Sequence, residues 1–215
     1  AKNKNYPFIG LRHYHQPRFA VWEMLKALTV IFEAAQLNQN TATELEAAVP
    51  FLESAAEKWS PIIPVKDNLA KQIAEELAGK TAVIYAGQVL KSAAYKWKID
   101  INENAKSLAF WNEFSEFNHN EFVGWGSHPI EKPFGVVELL SNLDHPHIQK
   151  RFEVSNRLLS GLMPDPFKVQ AEGENIIEQL LWTVMLGDFA SIYLALINGV
   201  NPTPVELVEK LKKLL

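Results

Sequence analysis

The chain has 215 residues, of which 47% are hydrophobic and 21% charged; its net charge is −4 and it contains no cysteine. This is the balance of a globular protein with one substantial domain and an appendage, or two small domains. It excludes a disulfide framework and thiolate metal sites, and it offers no general basic face for nucleic acid.

Residues 1–62 read as a mainly helical segment. Ala1 to Asn5 is polar and basic with no signal-type apolar core after it. Tyr6 to Leu11 is a short strand-like run. Pro17 suits a first helical turn, and Phe19, Val21, Leu25 and Leu28 continue from it at helical spacing. Thr41, with Glu44 three residues on, has the capping-box pattern of a second helix start. Ser60-Pro61-Ile62-Ile63-Pro64 reads as a linker.

From Lys66 the pattern becomes one of alternating helices and short apolar runs. Asn68 to Leu77 is helical and stops at Gly79. Thr81 to Ala86 is a buried-strand run ending at Gly87, with a helix from about Val89. Ser107 to Trp111, Gly135 to Leu140 and Phe167 to Ala171 are further strand candidates. Helical stretches, among them His147 to Leu162 and Asn175 to Ile197, lie between or after them. Such alternation predicts an α/β domain over residues 63–215, three-layer αβα with a mostly parallel sheet.

Ile176 to Ile197 is the most apolar stretch, but Glu178, Gln179, Gly187 and Asp188 interrupt it. It is therefore expected to be a helix buried between layers, with no membrane partner. Along Glu206 to Leu215 the residues Leu207, Val208, Leu211, Leu214 and Leu215 form one stripe, with Lys210 at its edge.

The stretch from Lys96 to Trp125 is the most distinctive. Glu103-Asn104-Ala105-Lys106, Phe110-Trp111-Asn112-Glu113-Phe114 and Phe117-Asn118-His119-Asn120-Glu121-Phe122-Val123-Gly124-Trp125 resemble a block of the bifunctional phosphoglucose/phosphomannose isomerases. Gly187-Asp188-Phe189-Ala190-Ser191 and Asn201-Pro202-Thr203-Pro204-Val205 are similar to that family's C-terminus. Gln16-Pro17-Arg18 resembles a short motif at the end of its first sugar-isomerase (SIS) domain.

The resemblance implies a SIS-type fold and isomerisation of glucose 6-phosphate, and of mannose 6-phosphate, to fructose 6-phosphate through an enediol. No cofactor and no metal are implied; the absence of cysteine makes a cytoplasmic setting the expectation. The resemblance also implies a homodimer in which His119 reaches the opposite subunit's site. The chemistry needs a carboxylate over C1 and C2, a group to open the ring, and donors for the oxyanion.

Carried over residue by residue, Glu103 is the proton-shuttling base and His119, sixteen residues later, the ring-opening group. Arg18 stabilises the enediolate, and Thr203 and Lys210 face the substrate. Each has a plainer alternative: a helix-end glutamate, a surface histidine, a surface arginine, a helix N-cap with Glu206 three residues on, and a solvated helix lysine.

One departure is that no Ser-x-x-Thr phosphate loop and no Gly-Gly-Ser turn occurs, so the chain looks like a member without its first, phosphate-holding domain. A non-catalytic SIS module that binds a sugar phosphate or a partner chain is therefore the competing reading. A zinc-dependent mannose-phosphate isomerase is a third. The pairs His13 with His15 and His145 with His147 lack a third ligand of recognisable spacing, and the latter pair is better placed to begin a helix.

Overall fold

The structure, a computed structural model, describes residues 8–11, 16–127, 131 and 133–215. These form two compact units, Ala1–Pro50 and Phe51–Leu215.

In the first unit a 3-10 turn, Pro17–Phe19, leads into helix α1 (Val21–Ala34), and helix α2 (Thr41–Lys58) begins there. Residues 8–11 carry no strand, and Tyr6 and Pro7 lie outside the described residues. Thr41 is the first residue of its helix and not its cap. The Glu33 carboxylate accepts from the Ala42 N–H at 2.7 Å, supplying from α1 the acceptor that the capping pattern assigned to Thr41. Lys26 and Glu46 join the same two helices at 2.6 Å. Pro50, inside α2, marks the division between the units.

The second unit opens with the end of α2 and a turn over residues 60–64. Lys71 Nζ donates to the Pro61 and Ile63 carbonyls, so this segment is a tied turn. Helix α3 (Leu69–Leu77) follows, capped by the Asn68 side chain accepting from Lys71 N–H.

Strand β1 (Thr81–Ala86), helix α4 (Lys91–Glu103) and strand β2 (Ala109–Glu113) come next. Two single-turn helices, α5 (Glu116–His119) and α6 (Glu121–Gly124), precede strand β3 (Phe134–Leu140). Helix α7 (Pro146–Leu158), strand β4 (Phe167–Gln170), helix α8 (Ile176–Ile197) and helix α9 (Glu206–Leu214) complete the chain.

The four strands are all parallel, in the order β2-β1-β3-β4. β1 is central, and every residue from Ala82 to Ala86 is buried, as an apolar run in a parallel sheet requires. The expected strands are present with small shifts. β2 starts two residues later than Ser107, whose hydroxyl and carbonyl are engaged in the preceding turn.

Helices α3 and α4 both pack on α8. α7 lies over an aromatic cluster of Tyr85, Phe114, Phe117 and Phe152. The result is the anticipated α/β sandwich. α8 is long and apolar enough to cross a bilayer by composition, but 56% of its most apolar window is buried inside the protein.

The α4–α8 contact combines ionic, hydrogen-bonded and close-packed contacts. Lys96 Nζ lies 2.5 Å from Asp100 and 2.8 Å from Asp188. Trp97 Nε1 donates to the Thr183 carbonyl at 2.7 Å. Gly187 lies against that indole: a Cβ there would stand 2.3 Å from Trp97 Cδ1. Neither helix backbone nor a buried indole can yield easily. Gly187→Ala is therefore expected to cost about 1–3 kcal/mol of stability; urea unfolding with unchanged stability would show the junction to be looser than this packing.

Candidate functional site

Glu103 is the last residue of α4, and because α4 runs back across the sheet, it lies at the N-terminal edge of the strands. Three bonds hold this helix end. The Asn104 amide donates to Ser191 Oγ at 2.9 Å, and the Asn198 amide donates to Ala105 O at 3.1 Å and Ser107 Oγ at 3.0 Å. Asn104 and Ser191 are buried, whereas Glu103 beside them is only half-buried. Its carboxylate side is thus presented from a fixed backbone.

Lys106, the last residue of the Glu103-Asn104-Ala105-Lys106 motif, is given no role by the sequence, yet it joins the two segments that carry Glu103 and Thr203. Its Nζ donates to the Glu103 carbonyl and, at 3.2 Å, to the Pro202 carbonyl. Its own backbone is left-handed, φ 54°, a conformation that costs a non-glycine residue about 1 kcal/mol and is tolerated where contacts over-determine it.

Thr203 is exposed, and its N–H donates to Asn201 Oδ1 at 2.9 Å. It does not cap α9: the N-cap is Val205, with no side-chain capping bond. Pro202 and Pro204 flank Thr203 in a bend, and the helix starts two residues later than the capping pattern implied. Lys210 is exposed on α9, and the apolar stripe beside it is exposed too, with Leu207 at 81% and Leu214 at 85%.

His119 ends α5, on the far side of β2 from Glu103. The five residues of β2 span about 16 Å, so one chain does not bring these two side chains together. Arg18 belongs to the first unit, where it is buried, donates to Gln16 Oε1 at 3.2 Å and lies 4.8 Å from the Phe19 ring centroid. The structure therefore unites the Glu103 and Thr203 segments and sets His119 apart from them.

A second polar feature crosses the sheet. Asn112, Tyr85, Glu138 and Lys168 are register neighbours on β2, β1, β3 and β4. Glu138 is 1% exposed at the floor of a cavity of about 240 Å3 between α7 and the β3–β4 edge. Asn156 Nδ2 donates to it at 2.9 Å. Burial pushes its carboxyl up to about 7 against the opposing pull of Asn156 and Lys168. The sequence signal was a lone acid inside the apolar run Val136-Val137-Glu138-Leu139-Leu140.

The paired histidines have a local use: His145 Nδ1 accepts from the His147 N–H and caps α7, with the two rings stacked at 5.2 Å. His13 and His15 lie outside the described residues. Among the described residues no group of three His, Asp or Glu side chains is arranged to hold a metal ion.

Three comparisons bear on this geometry. Residues 66–215 match the family model of the bacterial phospho-glucose isomerase C-terminal SIS domain. A bifunctional phosphoglucose/phosphomannose isomerase of Caldicellulosiruptor bescii is 32% identical over 99% of this chain and 63% of its own length. One from Aquifex aeolicus is 29% identical over 75% of this chain and 51% of its own. The chain thus spans between half and two thirds of these relatives. Among solved structures, a glucose-6-phosphate isomerase-like protein of Thermus thermophilus superposes with a TM-score of 0.69 at 20% identity, over 92% of this chain and 63% of its own.

Glu138 gives a pH prediction. The folded carboxyl keeps its proton up to about 7, whereas an unfolded glutamate loses it near 4.5. The folded state therefore holds the extra proton, and stability falls as pH rises through that window. Glu138→Gln should remove this slope and leave the variant about 1–3 kcal/mol more stable than wild type at pH 8. Parallel melting-temperature profiles from pH 5 to 8 would contradict it.

Proposed function

The chain belongs to the bacterial phospho-glucose isomerase C-terminal SIS-domain family, and on that premise we propose that it forms the sugar-ring half of a phosphosugar aldose–ketose isomerase. Its substrates are glucose 6-phosphate and mannose 6-phosphate, each converted to fructose 6-phosphate in the cytoplasm. The observation that carries this reading is the Glu103 helix end. A half-exposed carboxylate stands on a backbone fixed by Asn104–Ser191, Asn198–Ala105 and the Lys106 bridge to Pro202. A base that moves a proton between C1 and C2 needs this fixity, because small displacements of a reacting group are costly.

In this reading Glu103 is the base. Thr203 lies on the segment tied to it and leaves room for either C2 configuration. Lys210 and Arg18 supply positive charge to hydroxyls and to the enediolate. His119 opens the ring from a second copy of the chain. The separation of His119 from Glu103 along β2 supports that arrangement, as do the exposed apolar residues Phe110 on this edge strand and Leu108 just before it, at 54% and 69%. Residues 1–62 then correspond to the end of a first SIS domain, and residues 63–215 to the second.

Phosphate-binding amides and hydroxyls belong to the first domain in this scheme, and the energy of that remote contact orients the reacting carbons. The 215 residues alone should therefore show little turnover in a coupled fructose 6-phosphate assay, and addition of a phosphate-binding SIS domain should restore it. Robust activity of the chain alone would point to a phosphate site within it. In the active form, Glu103→Gln should abolish isomerisation with an unchanged melting temperature; retained turnover would make another residue the base.

Thr203→Gln separates the two hexose phosphates. The longer amide fills the space needed to present the opposite face of C2, so the mannose 6-phosphate rate should fall more than the glucose 6-phosphate rate. Equal loss on both substrates would deny Thr203 a part in discrimination.

A further inference from the structure

His119 is exposed, yet nearly everything around it is anchored. On one side the Asn118 amide donates to Ser155 Oγ at 2.8 Å, and Arg151 Nη1 donates to Asn118 Oδ1 at 3.2 Å, both from α7. On the other side Asn120 donates to Glu116 Oε1 at 2.5 Å and accepts from the Glu121 N–H at 2.6 Å. Glu121 then reaches the sheet. Its Oε2 accepts from the Asn112 amide on β2 at 2.8 Å, and its Oε1 accepts from the Tyr85 hydroxyl on β1. Tyr85 is fully buried, and its oxygen also accepts from Trp125 Nε1 at 3.0 Å.

A surface histidine without a task needs no such bracing. The two strand residues that grip Glu121 are register partners, so the grip is set by the sheet and not by a flexible loop. Burial, and then the charge of Glu121, hold the Tyr85 hydroxyl well above its ordinary range. It therefore stays a donor throughout the working pH range, and Glu121 keeps both of its bonds. Both groups facing Glu121 are donors, so only a side chain with two acceptor oxygens satisfies them together.

We propose that Glu121 is a positioning residue that fixes the backbone presenting His119, so that the imidazole meets the ring oxygen of the sugar in one geometry. The proposal rests on the isomerase reading above, with His119 as the ring-opening group. Glu121 itself touches no substrate. It acts by tying the α5–α6 junction to the centre of the sheet.

The reciprocal swap makes this testable. In Glu121→Gln one of the two facing donors meets an amide N–H instead of an acceptor. Converting the partner as well, Asn112→Asp, restores complementarity. The amide introduced at position 121 then donates to the carboxylate introduced at position 112, and its carbonyl accepts from Tyr85. That carboxylate can still accept the Glu113 N–H, which Asn112 Oδ1 accepts in the wild type at 2.8 Å.

The measurement is turnover of glucose 6-phosphate, with hydrogen or deuterium at C2, by the chain combined with its phosphate-binding domain. If ring opening is impaired it becomes the slow step, and C2–H cleavage no longer limits the rate. Glu121→Gln should lower kcat about tenfold to a hundredfold and bring the deuterium isotope effect toward one. His119→Ala should do the same, and the double variant E121Q/N112D should recover both the rate and the isotope effect.

A Glu121→Gln variant with wild-type kcat and isotope effect would overturn the proposal. So would a slow variant with an undiminished isotope effect, which is the mark of a smaller active fraction. Should the single variant fail to fold, a folded double variant with a collapsed isotope effect would overturn it equally. Absence of isomerisation by the wild type would be a different failure: it would remove the isomerase reading, and this inference with it.

Discussion

The packing of α4 on α8 is the constraint from which the rest of the second unit follows. Lys96 serves two carboxylates, Asp100 on its own helix and Asp188 on the other, and Asp100 has no exposed side-chain surface. Two acids facing one ammonium leave an excess negative charge. Burial, with the charge of Asp188 behind it, accordingly drives the Asp100 carboxyl upward. Such a triad contributes little net stability compared with an apolar contact of the same volume. What it does is fix register: Lys96 can meet both acids only when the helices are aligned as seen. Beside this triad Trp97 rests on Gly187, and two turns on Asn104 meets Ser191. Contacts with α8 therefore continue from Lys96 to Asn104, next to Glu103.

That alignment explains why the tail motif Gly187-Asp188-Phe189-Ala190-Ser191 accompanies the Glu103 motif in the same chain. Gly187 admits the indole, Asp188 takes the ammonium and Ser191 takes the Asn104 amide. Together they fix the helix end that carries Glu103.

The sequence disclosed the framework because its signals are local. The run Thr81 to Ala86 became β1 without a shift, and Asn175 caps α8 through its bond to the Glu178 N–H. Local signals failed where other residues competed. Glu33, on the preceding helix, took over the cap of α2, and α9 starts at Glu206, after the prolines that flank Thr203. The roles of Lys106 and Glu121 depend on partners 96 and 36 residues away, a pairing that no periodicity in the chain encodes. Glu103 is legible only through its motif, since by composition it is one acid among many. Its placement on a braced helix end is what the structure adds.

The positions of Glu103 and His119 at opposite ends of β2 then acquire a meaning that neither residue has by itself. A strand is too stiff to fold back on itself, so no rearrangement within this domain brings the imidazole to the carboxylate. Each end is nevertheless separately rigid, Glu103 through α8 and His119 through the Tyr85–Glu121–Asn112 grip. In the proposed arrangement two copies would meet so that the His119 end of one faces the Glu103 end of the other. Each site would then receive the proposed base and the proposed ring-opening group, each held on a fixed backbone. Phe110, the exposed apolar residue of β2, lies between these two ends, where the proposed contact would form.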